Sequence, residues 1–319
     1  MKSRLLYAAL GALALTTPVT AQTNPTVYGS VVFGHEWEDM EAPPYGLYSM
    51  PADNGNAIKL EVRNDAIKAN GGGVYVDGMY HLVDFTRYEF EQVVTFRTFD
   101  TKNNWKLINE QTIKSYSSAA SDLTYDPVGD KIYGCFKETA TSTQYFLGTL
   151  NPITGFASKI ADIDEELIVL ASTRDGKLYG VGAYGMLYSV DKQTGKLTKI
   201  GQTGKSVKYS QSATFDYASG RMLWAMTPHY TNESPELCEI DLSTGKTTTL
   251  ATIPERYEFT GIYTLSPYAA DNAPQTATAF GGKYEKGALS GTVSFTAPTA
   301  TMGGSTLSGS LSYLSLIHI

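Results

Sequence analysis

The sequence predicts an all-β fold built on a repeat, and three observations predict it. Two short signatures recur in fixed order along most of the chain. Strand-like runs alternate with tight turns between them. The first and last copies are each incomplete, and each lacks what the other supplies.

The first signature is a strand with an aromatic or bulky centre: Val27-Tyr28-Gly29, Met79-Tyr80-His81, Ile132-Tyr133-Gly134, Leu178-Tyr179-Gly180 and Met222-Leu223-Trp224. The second is a tight turn, as in Asn151-Pro152-Ile153-Thr154-Gly155, Asp191-Lys192-Gln193-Thr194-Gly195 and Asp241-Leu242-Ser243-Thr244-Gly245. In such turns Asp or Asn caps the backbone two residues on, and Gly supplies a positive φ at little steric cost. Looser versions occupy residues 51–55 and 100–104. The five turns begin at residues 51, 100, 151, 191 and 241, a period typical of propeller blades.

A further hairpin turn precedes the aromatic strand at residues 126–130, 174–176 and 216–220, so each repeat holds four strands, A to D. The best-defined repeat places them at 122–125, 131–136, 145–150 and 156–160. The next two run 167–172, 177–181, 186–190, 196–200 and 212–215, 221–226, 237–241, 247–251. An earlier, poorer copy runs 73–76, 79–83, 93–99 and 105–110. The N-terminal segment offers B, C and D strands at 26–33, 46–50 and 57–62, whereas 259–265 is an A strand with nothing after it. Pairing those two ends completes one blade and removes exposed sheet edges. The expectation is a five-bladed β-propeller over residues 22–267, closed by its N- and C-terminal strands; a solenoid or two-sheet sandwich is the competing architecture.

The remaining segments read differently. Residues 1–21 have the form of a secretory signal peptide: Lys2 and Arg4, then an apolar run over 5–15, then Val19-Thr20-Ala21. That run is too short to span a bilayer, and neither cysteine lies where a lipid anchor would need it. Cys135 and Cys238 sit in apolar strand-like runs a hundred residues apart, and two buried, unpaired thiols is the reading adopted over a disulfide. A net charge of −7 without a basic stripe argues against nucleic acid as a partner. Residues 268–274 make a linker. The last six residues, 314–319, match the translated end of a transposon used as a sequencing adapter, so His318 is given no functional weight.

Between linker and adapter, the strand-like runs 275–280 and 288–295, then Ala297-Pro298-Thr299 and the run 307–313, resemble the opening of a fibronectin type III domain. An incomplete β-sandwich over 275–313 is the expectation. Taken with the leader and the propeller-like repeats, of the YncE and WD-repeat kind, the chain resembles secreted or cell-surface proteins of Bacteroidota. That resemblance implies an exported protein, extracellular or at the outer cell surface with the periplasm as the other compartment.

Short A-to-B and C-to-D turns should share one face, and the variable B-to-C and D-to-A connections the other. The second face carries the unusual residues, and variable loops on a rigid scaffold are where binding is usually placed. The candidate ligand residues are Trp37, Tyr45, Arg87, Tyr88, Tyr184, Tyr209, His229 and Tyr230. Aromatics among carboxylates and an Arg suit sugar rings or peptide segments. Glu36, Glu38 and Asp39 beside His35 are read as solvated loop charge rather than a metal site, and no cofactor is expected. The function these features favour is a monomeric, non-catalytic binding or scaffolding module for glycan or protein. The alternative is a glycan-active hydrolase using carboxylates around the axis, with Asp122, Glu166 and Glu258 as candidates and Glu165 nearby.

Overall fold

The computed structural model describes residues 24–35, 41–87, 92–114, 116–138, 143–207, 210–229, 233–265, 278–284, 291–300 and 306. The leader, the linker and the adapter-like tail lie outside the described residues. In chain order the strands begin with β1 (Thr26–Val31), β2 (Gly46–Pro51), β3 (Lys59–Arg63), β4 (Gly73–Val76), β5 (Met79–Arg87), β6 (Gln92–Asp100) and β7 (Lys106–Ile113). They continue with β8 (Ala120–Asp126), β9 (Lys131–Lys137), β10 (Tyr145–Leu150), β11 (Ala157–Ile163), β12 (Leu167–Ser172), β13 (Leu178–Gly182), β14 (Met186–Val190) and β15 (Leu197–Gln202). The last are β16 (Ser212–Asp216), β17 (Arg221–Met226), β18 (Glu236–Ile240), β19 (Thr247–Thr252), β20 (Phe259–Thr264), β21 (Thr278–Tyr284) and β22 (Gly291–Thr296).

The fold is all-β and propeller-like. Four antiparallel sheets follow chain order, β4 to β7, β8 to β11, β12 to β15 and β16 to β19, and another has the order β20-β1-β2-β3. Residues 259–264 therefore lie beside 26–31, with Val27 opposite Thr264 and Val31 opposite Phe259. The first strands of these sheets adjoin in a cycle, β4 to β8 to β12 to β16 to β20 and back to β4. Among the described residues no helix is long and apolar enough to cross a membrane. Strands β21 and β22 form a two-stranded antiparallel sheet that overlaps the runs expected at 275–280 and 288–295, whose first three residues lie outside the described residues.

Apolar side chains fill the space between each sheet and the next. Phe96 of β6 shares a core cluster with Leu123 and Phe136, Leu147 of β10 with Leu170, and Val169 of β12 with Trp224. Leu237 joins Met50 and Ile262, and Leu47 joins Tyr80 and Tyr263. Both faces of each sheet are thus covered, which is why β12 and β20 are buried at every position instead of alternating. The outermost strands β3, β7, β11, β15 and β19 are mostly exposed or half-buried. Each pairs with its neighbour through a register shift, at Leu47/Tyr48, Thr98/Phe99, Leu147/Gly148, Leu187/Tyr188 and Leu237/Cys238. A bulge twists an edge and spoils it as a template for another strand.

The turn chemistry has a second purpose. Asp191 Oδ1 accepts from the amides of Gln193 and Thr194, and Asp241 Oδ1 from that of Ser243, as the Asx caps require. Gly245 has φ +79°, yet a Cβ there would also lie 2.5 Å from the Gly201 carbonyl oxygen of the preceding sheet. The turn is pressed against its neighbour's outer strand. Gly220 has φ +72° with nothing within 4 Å of its missing Cβ, so it isolates the conformational contribution.

His81 is buried, stacked on Phe96 at 5.8 Å, with Nδ1 2.9 Å from Thr98 Oγ1. Burial pushes its pKa down from 6.5 to about 4. Between these values the unfolded chain takes up the proton first, so stability is full above pH 6.5 and falls as pH drops towards 4.

Two outcomes are expected. Gly220→Ala should lower unfolding free energy by about 1 kcal/mol, whereas Gly245→Ala should cost roughly 2–4 kcal/mol because strain and overlap combine, both read by urea denaturation. The stability lost between pH 6.5 and pH 4 should be roughly 3 kcal/mol smaller in His81→Gln than in the parent, measured by the same titration at both pH values.

Candidate functional site

The turn between β13 and β14 carries the first part of the site. Gly185 N–H donates to the Gly182 carbonyl at 2.8 Å, closing a tight reversal over Gly182-Ala183-Tyr184-Gly185. Tyr184 stands on it 83 % exposed, an unusual position for so large a ring. The chain leaving β15 is docked beside this turn, since both the amide and the hydroxyl of Thr203 donate to the Gly185 carbonyl. Gln202 ends β15 just before Thr203, and Lys205 and Ser206 follow.

The opposite wall comes from the connection after β17. Val207 bridges Pro228, and the His229 amide donates to the Ser206 carbonyl at 3.1 Å. The root of that connection is fixed by Gln211, which is fully buried. Its Oε1 accepts from Trp224 Nε1 and the Thr227 amide, while its Nε2 donates to the Thr227 carbonyl. Tyr184, Gln202, Lys205, Ser206 and His229 thus line a depression of about 540 Å³, together with Ile168.

Lys205 is the charged group in this wall. Burial is the largest influence and pulls its pKa down, but the hydrogen bond to Glu236 and the electrostatic influence of Cys238, Glu236 and Glu233 together outweigh it, and the net shift is upward. Glu236 also accepts from Thr249 Oγ1 and Cys238 Sγ. The ammonium is held in place and its charge is balanced by the carboxylate, leaving an aromatic plate among hydrogen-bonding groups without a strong net field. Such a surface can stack the flat face of a ring and direct its polar substituents.

Of the eight ligand residues expected, the structure brings Tyr184 and His229 together here. Tyr45 is half-buried, packed so closely on Gly34 that a Cβ there would sit 2.6 Å from its ring, with Lys68 Nζ 5.0 Å above it. Arg87 closes β5. Trp37, Tyr88, Tyr209 and Tyr230 lie outside the described residues. Sequence reading missed Gln202, which ends an outer strand, and Lys205 and Ser206, which follow it as an unremarkable polar run. Their pattern, a positive-φ Gly204 amid hydrogen-bonding residues in a D-to-A connection, was the available signal.

The three axial carboxylates are placed differently from one another. Asp122 is fully buried: Oδ2 accepts from the Leu170 and Ala213 amides and Oδ1 from Ser212 Oγ, each at 3.0 Å. Burial pushes its pKa up to about 8, against the pull of these donors. Glu166 is half-buried and accepts from Ser121 Oγ at 3.1 Å. Glu258 is half-buried beside the β1 end, where its carbonyl accepts from the Val32 amide. Glu165 accepts from the Tyr188 hydroxyl. Cys135 and Cys238 are buried free thiols, and burial pushes both up to about 12, so neither is a nucleophile at neutral pH. Among the described residues no three His, Cys, Asp or Glu cluster as a metal ion would need.

No protein-family model matches the chain, and no curated protein does. Among solved structures, the catalytic domain of a GH62 α-L-arabinofuranosidase from Coprinopsis cinerea is similar at TM-score 0.40 and 11% identity, over 74% of this chain and 77% of that one. An auxiliary nutrient binding protein from Bacteroides ovatus is similar at TM-score 0.38 and 14% identity, over 82% of this chain and 57% of that one, so the chain spans little more than half of its length. A protein of unknown function from Bacteroides caccae gives TM-score 0.43 at 8% identity, over 75% and 98% of the two chains. Likenesses this weak assign no activity.

Asp122 supplies an acceptor to three buried donors from two other sheets. Asp122→Ala should therefore lower unfolding free energy by about 3 kcal/mol or more, since each donor loses its partner in the interior. Chemical denaturation with circular dichroism reads this directly; a loss under about 0.5 kcal/mol would show that the carboxylate is not needed there.

Proposed function

We propose that this chain is an exported five-bladed β-propeller, followed by the start of a fibronectin type III-like unit, that acts as a non-catalytic binding module for glycan. The observation that carries the reading is Tyr184, a solvent-exposed ring set on a tight turn beside His229, Gln202 and Lys205. Holding a bare aromatic plate in water has no role in the core, whereas stacking a sugar ring against it removes apolar surface from water on both partners. The neighbouring imidazole, amide, hydroxyl and ammonium then direct ring hydroxyls. The signal-like leader supports export, and it places such a face where extracellular glycans are met. Protein is the second ligand class for the same surface.

The reading as a binder rather than a hydrolase rests on Asp122. An axial acid enclosed at 0% exposure, with both oxygens engaged by the protein, has no position from which to protonate a leaving group.

A glycan array probed with the chain lacking its leader tests this. At least one glycan should bind, and Tyr184→Ala should weaken it about tenfold or more while leaving the melting temperature unchanged, because the ring supports nothing beneath it. Equal binding by the variant, or binding to no glycan at all, would defeat the proposal.

A further inference from the structure

The axis also opens at the other end of the strands, where the A-to-B turns lie. There the inner strands β4, β8, β16 and β20 enclose a cavity of about 230 Å³. Four tyrosines stand among its lining residues: Tyr75, Tyr125, Tyr217 and Tyr263. These rings are fixed before any ligand arrives. Tyr75 lies on Tyr263 at 4.7 Å and 7°, and Tyr263 lies on Tyr28 at 5.4 Å, so Tyr75 ends a stack of three. The Tyr217 hydroxyl donates to the Tyr125 carbonyl across the sheets at 3.2 Å, and the Tyr125 hydroxyl to Asp130 Oδ1 at 2.8 Å.

Polar groups are interleaved with the rings. Thr214 and Thr264 line the same space, the first of them half-buried. Asp77 and Lys102 are the charged lining residues among those described, and they are opposite in sign. A site built this way has flat apolar walls, hydroxyl groups between them and no net charge with which to select an ion. It is also smaller than the roughly 300–1,000 Å³ of sites that enclose drug-sized ligands.

We infer that this axial mouth is a second ligand site, one that takes a single neutral sugar ring. The inference is separate from the Tyr184 surface, which lies at the opposite ends of the strands and shares none of these residues. Since the walls come from four sheets, a bound ring ties those sheets together. Occupancy stabilises the folded state by mass action and raises the melting temperature.

The test uses the whole chain and a panel of methyl glycosides, with saturation-transfer NMR for contact and thermal melts for linkage. At least one methyl glycoside should bind and raise the melting temperature. Thr214→Trp, which fills the mouth, should weaken that binding about tenfold or more. Tyr184→Ala should leave it unchanged, which separates this site from the surface proposed above. Should Thr214→Trp fail to fold, Tyr217→Ala, which removes a half-buried wall, should give the same loss. The inference is overturned if no methyl glycoside binds, if binding survives a folded mouth variant, if Tyr184→Ala abolishes it, or if phenylalanine amide binds there while the glycosides do not.

Discussion

The first strands of the sheets, which adjoin in a cycle, have no further strand to pair with on their inner side, and their inward amides need acceptors from somewhere else. In this protein those acceptors are side chains of neighbouring inner strands. Asp122 of β8 takes the amides of Leu170 in β12 and Ala213 in β16. Thr124 takes that of Ser172, and Ser212 takes that of Ile262 while donating to Asp122. Thr260 in β20 continues the series by donating to the Ala69 carbonyl ahead of β4. The inner strands are thus stitched sheet to sheet, with Asp122 as an acceptor for two of those sheets.

The rim follows a different rule. Its outermost strands are guarded by bulges, and the C-to-D turns reach sideways onto the preceding sheet, as Gly245 does on Gly201 and Gly55 on the Thr252 carbonyl. With the centre and the periphery both fixed, the two proposed ligand surfaces fall at the two ends of the strands. At one end a turn lifts Tyr184 clear of the surface, and at the other the inner strands leave a tyrosine-lined opening.

Much of the architecture was legible because its determinants are local. The Asp-to-Gly turns and the central tyrosines recur at a near-constant spacing, and the unpaired A strand at one end matched the missing one at the other. What escaped was set by approach between sheets. Nothing in the run 241–245 states that its Gly must also clear a neighbouring carbonyl. Asp122 reads from sequence as an available carboxylate, and its three donors come from residues 48 to 91 positions away. Part of the site was visible for the same reason. Tyr184 and His229 stand out by residue type, whereas Lys205 gains its meaning from Glu236, a partner 31 residues on.

The pairing of β20 with β1 has a consequence for how the molecule acquires its structure. Contacts separated by some 230 residues must form before the first sheet owns its inner strand. Loop-closure entropy makes such long-range pairings slow, so the sheet begun first in synthesis is the one finished last. Until then β1 keeps an open edge, and the growing chain carries a sticky seam that a chaperone would have to shield.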